Sequence, residues 1–445
     1  MTTRLLRTLG TPTDQKVFTW SGWVKRSKLG ADQVLFNANN AGSTNVTMRF
    51  DSDDTIHFFY ISSSSYAYRI KTTAKFQDTN AWYHIVFIQD TTQSTAGDRL
   101  QIYVNGERMT SLQNVLSPSQ NGTSNMNTAV AHYIGDNGGS NAFEGYMSHV
   151  HFADGTAYAA STFGSTDATT GEWKINTSPT VTYGNNGFFI LKDSNSVTDQ
   201  SGNSNNWSVD TGNLVDTKDN PSNSYATSNV LDNGADKAPT FSNGNLTHGV
   251  GSNVWRFAAS TLGAFKGKYY CEIKINSIGQ YVMLGAGDRD DIDGHHMTTN
   301  PYPGGEPLSV GYFNNGEKYL NDSGSSYGNS YTANDIIGVA MDIDNGYVYF
   351  SKNGTFQDSG DPTSGSSGTG GIAFPSTSSA TGIKQFIPSL NNANISINYG
   401  GGHFGTTAIS TNSGNGYAGV EGDSKFNYQP PTGYAALSTK GLNHF

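Results

Sequence analysis

One cysteine, thirteen prolines and no long apolar run mark what this 445-residue chain has little of. A single thiol, Cys271, cannot close an internal disulfide, so burial and hydrogen bonding must hold the fold. It sits at an alternating apolar position in Tyr269-Tyr-Cys-Glu-Ile-Lys-Ile275, which predicts a buried, inert thiol and assembly in a reducing cytoplasm. No stretch approaches ~18 apolar residues, and none follows Met1-Thr-Thr-Arg-Leu-Leu-Arg7, so neither membrane insertion nor a secretory leader is expected. Positive charge is scarce too. The 26 Lys and Arg against 36 Asp and Glu leave a net charge of −10, which repels phosphate backbones and argues against nucleic acid as a partner. Ala/Leu/Glu/Lys runs at helical spacing are missing, which argues against a helical protein.

What is present points the other way. Glycine supplies 53 residues without a three-residue period, which excludes collagen, and aromatics reach 12%. With abundant Asn, Ser and Thr, this mixture favours short strands joined by polar turns, because those small residues compete with helical backbone bonding. The clearest single signal is Asp335–Gly354. There Ile337, Val339, Met341 and Ile343 alternate with Gly338, Ala340 and Asp342, Asp344-Asn-Gly346 turns, and Tyr347–Phe350 returns toward Asn353-Gly354. A related unit, Leu100-Gln-Ile-Tyr-Val-Asn-Gly106, lies far upstream. Two such units predict an all-β chain with two antiparallel β-sandwiches.

The first sandwich is expected over 17–162. Its strands are Val17–Lys25, Val46–Phe50, Ile56–Ile61, Ala81–Gln89, Ile102–Val104, Tyr133–Gly135 and Phe143–Phe152. Residues 1–16 precede it as an attachment segment. Residues 163–237 form a partly ordered connector, whose Phe188–Leu191 strand and Trp207 argue against a free tether. A second sandwich follows over 238–437, with strands at Gly267–Ile275, Tyr281–Gly285, Val310–Gly316, the long hairpin, Phe386–Leu390 and Ile395–Gly400. A tail, 438–445, closes the chain.

The Phe18…Trp23-Val24, Trp82-Tyr-His-Ile-Val86, Tyr103-Val-Asn-Gly106 and Ile134-Gly…Phe143-Glu-Gly-Tyr-Met147 segments together resemble the laminin-G-like, concanavalin A-like jelly roll. The Gly267-Lys-Tyr-Tyr-Cys-Glu272 strand, the Asp335–Asp344 hairpin, Phe386-Ile-Pro-Ser389 and Asn398-Tyr-Gly400 resemble a SPRY domain. With Asp199-Gln-Ser-Gly-Asn-Ser-Asn-Asn-Trp207 between them, the tandem is similar to virion structural proteins of tailed phages, marine ones especially. The resemblance implies localisation on a virion, after synthesis in the host cytoplasm, with other virion proteins as partners. Symmetric fibres imply homo-oligomerisation.

Candidate sites divide by chemistry. Asp51, Asp53 and Asp54 form one carboxylate turn and Asp288, Asp290, Asp291 and Asp293 another. Either is a candidate calcium site, set against the ordinary role of Asp as a turn residue. No other cofactor is expected. His295-His296 are adjacent, so their side chains diverge on a strand, and no His-Glu-x-x-His helix exists. His149 and His151 share one strand face and would chelate zinc if a third ligand converged, set against the ordinary reading of an exposed or interface strand face. Catalysis is not expected. The Glu-x-Asp-x-x-Glu strand of jelly-roll glucanases is absent, and Glu107, Glu144, Glu272, Glu306 and Glu317 stand apart from one another. What remains is loop-borne aromatics, Tyr66, Tyr68, Tyr302, Tyr327 and Tyr331, as candidate contacts to glycan or protein. The SPRY resemblance implies recognition by end loops, and Asp288–Gly305 occupies such a place. The expected role is a non-enzymatic tail-fibre or adhesin component that binds host-surface glycan or protein. The alternative is capsid decoration or a head fibre without a receptor role, and the third reading is a polysaccharide depolymerase.

Overall fold

The computed structural model describes residues 3–39, 44–192, 196–231, 238–288, 302–305, 307–375, 382–410 and 416–445. Strands dominate; the one α-helix among the described residues is the six-residue α1 (Thr439–His444). The chain divides into two compact units, 1–216 and 217–445. That boundary falls inside the expected connector. The first unit takes in 163–216 and the second takes in 217–237.

Unit 1 is a jelly roll of two antiparallel sheets. The eight-stranded sheet runs β10 (Leu112–Leu116), β6 (Ser65–Lys75), β5 (Thr55–Ser62), β4 (Asn45–Phe50), β3 (Gln33–Asn39), β11 (Ala131–Ile134), β1 (Arg4–Thr8), β16 (Ser208–Thr211). The six-stranded sheet runs β15 (Phe188–Ile190), β12 (Gly145–Asp154), β2 (Val17–Arg26), β7 (Trp82–Asp90), β8 (Leu100–Val104), β9 (Glu107–Arg108). A small hairpin joins β13 (Gly164–Thr166) to β14 (Trp173–Ile175). Period-two alternation places Phe36, Met48, Phe58 and Ile70 in one inward row, facing Trp20, Phe87 and Phe152 from the other sheet. Residues 1–16, expected as an attachment segment, instead supply β1, whose Leu5 is buried in this core. Trp207 and Phe188 from the expected connector are buried there too, with ring centroids 4.9 Å apart.

Unit 2 is built on one branched, mainly antiparallel sheet, with one short strand added in parallel and a separate two-stranded pair. Its path is β17 (Thr240–Ser242), β18 (Thr247–Phe257), β27 (Lys384–Asn398), β19 (Lys268–Asp288), β20 (Ser309–Phe313), β21 (Glu317–Leu320), β22 (Ser323–Ser326). The first half of β19 pairs instead with β23 (Ile336–Asp342), which continues to β24 (Tyr347–Lys352), β25 (Thr355–Phe356) and β26 (Ile372–Ala373). Short pairs complete it: β28 (His403–Phe404) with β29 (Thr407–Ala408), and β30 (Ala435–Ala436) alongside β19. Register shifts interrupt β18 at 250–255 and β19 at 275–281, so both strands bend where they meet β27 at 391–394. Cys271 is fully buried on β19, and burial pushes its thiol well above the ordinary value, as an inert core residue requires.

The two Asn-Gly signals fold identically. Asn105 and Gly106 have φ of 48° and 84°, and Asn353 and Gly354 have 48° and 83°, the left-handed pair of a type I′ turn. In each, the Asn N–H donates to the carbonyl of the neighbouring strand (His84 or Ile336) and its Oδ1 accepts from that residue's own N–H. The amide side chain thus extends the ladder by one rung.

Candidate binding surface

The expected site residues separate sharply. Tyr68 is in the unit 1 core, its hydroxyl donating to Gln89 Oε1 at 2.7 Å. Tyr327 and Tyr331 are in the unit 2 core. Tyr331 donates to the carbonyls of Val282 and Tyr312 at 3.0 and 2.8 Å, and Tyr327 donates to the carbonyl of Gly370. These three are not surface contacts. Each hydroxyl finds a partner inside, which lets the ring take a core position. Tyr66 is 39% exposed on β6, with the Arg69 guanidinium 4.3 Å from its ring centroid. Tyr302 lies half-buried on the outer surface of unit 2.

The carboxylates are committed to cations of the chain. Asp54 holds the fully buried Arg26 at 3.0 Å and accepts from Gln77 and the Gly30 N–H. Asp51 meets Arg49, His57 and Lys71, and Asp53 meets Lys71 at 2.9 Å. Burial alone would raise the Asp51 carboxyl, but hydrogen bonds from His57 and Lys71 hold it well below the usual range. Asp288 pairs with Lys384 at 3.2 Å. Asp290, Asp291, Asp293, Glu306 and the His295-His296 pair lie outside the described residues. Among the described residues no three metal-ligating side chains converge. His149 and His151 flank a register shift; His151 is buried against Phe189 and bonded to the Tyr183 hydroxyl.

One buried pair has catalytic residue types. Ser21 Oγ lies 2.9 Å from His84 Nε2, and Trp173 donates its indole N–H to His84 Nδ1 at 3.0 Å. That donation fixes the proton on Nε2, so the imidazole donates to Ser21 instead of accepting from it. Burial between Trp23 and Trp173 lowers the His84 pKa to about 3. The pair is a structural strut. Glu272 is likewise sealed: burial pushes its carboxyl up to about 7, although the Asn427 and Tyr428 N–H groups both donate to it at 2.7 Å.

The outer face of unit 2 gathers what the sequence scattered. Trp255 on β18, Tyr281 on β19, Phe313 on β20, Tyr319 on β21 and Tyr302 form a closed belt of ring contacts. Successive centroids lie 6.0, 5.5, 5.5, 6.3 and 4.9 Å apart. Tyr281 is 44% exposed and the other four are half-buried. Two glycines seat the segment bearing Tyr302. Gly285 and Gly311 are paired across β19 and β20, and a Cβ at Gly285 would approach Pro303 to 2.5 Å. Asp322 then fixes the ring, accepting from the Tyr302 hydroxyl at 2.7 Å.

Between Trp255 and Tyr281 lies Asn391 of β27, directly opposite both in register and therefore on the same face. Strands two apart in a sheet are separated by roughly 9.6 Å, yet these two rings are 6.0 Å apart, so they lean together over Asn391. Its Oδ1 is buried and has no hydrogen-bond partner among the described residues. An unsatisfied acceptor of this kind costs about 1–3 kcal/mol. Beside it, the bends of β18, β19 and β27 enclose a shallow cleft of 460 Å³, lined by Thr240, Gly249, Gly251, Ser277, Gly279 and Asn394 among others. Of the whole belt, sequence reasoning singled out Tyr302 alone. The available signal was apolar bulk at both parities of Tyr281-Val-Met-Leu284, which marks a strand with two covered faces.

Comparison with known proteins agrees with these architectures. Residues 6–162 match the family model of the concanavalin A-like lectin/glucanases superfamily, and 268–387 match that of the SPRY domain. The ATP-dependent RNA helicase DDX1 of Xenopus laevis is 32% identical over 100 residues, covering 22% of this chain and 12% of the helicase. The chain therefore matches only a small part of that relative. Among solved structures, the SPRY domain of human HERC1 is 19% identical, covering 34% of this chain and 85% of its own, with a TM-score of 0.25. A native heptameric SAP-like pentraxin of Limulus polyphemus is 16% identical, covering 43% and 90%, with a TM-score of 0.28.

Proposed function

We propose that this chain is a non-enzymatic binding protein of a phage virion surface, a tail-fibre or adhesin component that holds host-surface glycan or protein. The observation that carries the reading is the partly exposed five-ring belt on the outer face of unit 2. Clustered, partly exposed aromatics are the groups that dominate recognition surfaces, because they bury large area at little entropy cost. The virion assignment is supported by the resemblance of the tandem to tailed-phage structural proteins. Display in many copies lets weak individual sites act by avidity, and a homo-oligomer docked to other virion proteins would provide those copies.

A capsid-decoration role is favoured by a different observation. Both edges of the eight-stranded sheet expose apolar side chains, Val115 and Leu116 on β10 and Val209 on β16, as subunit contacts would. Antibody labelling of intact particles separates the two readings: label at the tail tip supports the adhesin, and uniform label over the head supports decoration. Binding of the purified full chain to host cells tests recognition itself, and a chain that binds no host surface contradicts it.

A further inference from the structure

Resting on that reading, we infer that the belt takes an uncharged saccharide, seated on Trp255 and Tyr281 with one hydroxyl donating to Asn391 Oδ1. Three observations select this ligand class. The orphaned group is an acceptor, so its ligand must bring a donor; a carboxylate or phosphate oxygen would be repelled. The cleft beside it is lined by Val250, Ile278 and Ala393 together with glycine, serine, threonine and asparagine. Neither Asn391 nor a belt ring lines it, and it carries no charged side chain, so nothing there rewards an ion. The cleft is open to solvent, and its 460 Å³ falls within the roughly 300–1,000 Å³ usual for small-ligand sites, so it can receive the part of a ligand that extends beyond the rings. A sugar ring answers all three, because it carries hydroxyl donors around apolar C–H faces that lie against aromatic rings. Tyr281, the most exposed ring of the five, covers Asn391 together with Trp255, so its rotation opens the acceptor to the ligand.

The test is titration of the full chain against immobilised neutral glucans, mannans and galactans, with uronate-bearing and sulfated glycans in parallel, read by retention and by Trp fluorescence. A neutral glycan should bind, and Trp255→Ala and Tyr281→Ala should each weaken that binding at least tenfold while the folded chain still melts cooperatively, with Tyr281→Ala lowering the melting temperature by no more than about 4 °C. Asn391→Leu should weaken it too, and a deoxy sugar lacking the donated hydroxyl should then bind wild type and variant alike. No neutral-glycan binding, or binding unmoved by all three substitutions, overturns the inference, as does preference for the acidic glycans. Protease-sensitive attachment to cells with no glycan binding would defeat the saccharide while leaving the binding function intact. Attachment to neither would defeat both.

Discussion

The two units use the same turn and opposite surfaces. Each closes a hairpin with Asn-Gly and covers it with an aromatic ring, Trp173 over Gly106 and Tyr428 over Gly354. Their outer faces then diverge. On unit 1 the Arg49, Asp51, Asp53, His57 and Lys71 cluster pairs its charges internally, although His57 Nε2 within it is buried without a hydrogen-bond partner among the described residues. On unit 2 the face is aromatic, and the acceptor of Asn391 beneath the rings is unanswered. The contrast teaches that a shared hairpin device stabilises a sandwich without saying where it binds. Among the described residues both units bury unsatisfied polar atoms, and on unit 2 one of them coincides with a cluster of partly exposed rings.

The largest effect should come from breaking the buried charge of unit 1. Asp54→Ala strands the guanidinium of Arg26 in the interior, and such losses cost about 3–5 kcal/mol. Calorimetry should show unit 1 melting early while unit 2 keeps its transition. Next, Gly106→Ala forces a side chain into left-handed backbone and onto the Trp173 ring, with an expected loss of about 3 kcal/mol. Gly354→Ala carries the same backbone penalty, but its Cβ would make one contact under 3 Å, with Tyr428 at 2.7 Å, against three with Trp173, a ring equally half-buried but pinned by its hydrogen bond to His84. Its loss should be smaller, and equal losses would contradict the comparison.

Acidity should distinguish the units by the size of their response. In unit 1 burial lowers His84 to about 3 and His132 to about 4, so the unfolded chain takes up protons first as pH falls below 6.5. Unit 1 should therefore lose on the order of 1 kcal/mol per pH unit per histidine down to about pH 4. Unit 2 contains His248, lowered by burial to about 3, acting in the same direction. It also contains Glu272, raised to about 7, whose contribution is present below pH 4.5 and lost as pH rises through 7. The two oppose each other between about pH 4.5 and 6.5, so unit 2 should respond less. Glu272→Gln should remove the opposition and make unit 2 acid-sensitive like unit 1, in melts recorded from pH 4 to 8. The smallest effect on stability should follow Tyr281→Ala, within about 1 kcal/mol, because that ring remains 44% exposed.

Alternation made most of the fold legible. The Ile336–Lys352 hairpin pairs as its pattern predicts, with Val339 opposite Phe350, and Cys271 is buried where its parity puts it. The sandwich boundaries were less legible, because Leu5 and Phe188 reach the core from strands with too little alternation to assign, and Trp207 from irregular backbone just before one. The tyrosines failed for another reason. Tyr327 and Tyr331 lie outside strands, where no parity marks them as inward, and backbone carbonyls that only the fold supplies satisfy their hydroxyls. A belt assembled from four strands and one loop has no local sequence signature. Its rings become neighbours only once β18, β27, β19, β20 and β21 are in order.

The most direct measurement compares outer-face substitutions in the two units within the same full-length chain. Binding to host cells should fall at least tenfold with Trp255→Ala or Tyr281→Ala, and should be unchanged by Tyr66→Ala on unit 1. Loss of binding with Tyr66→Ala while both unit 2 variants bind normally would contradict the account.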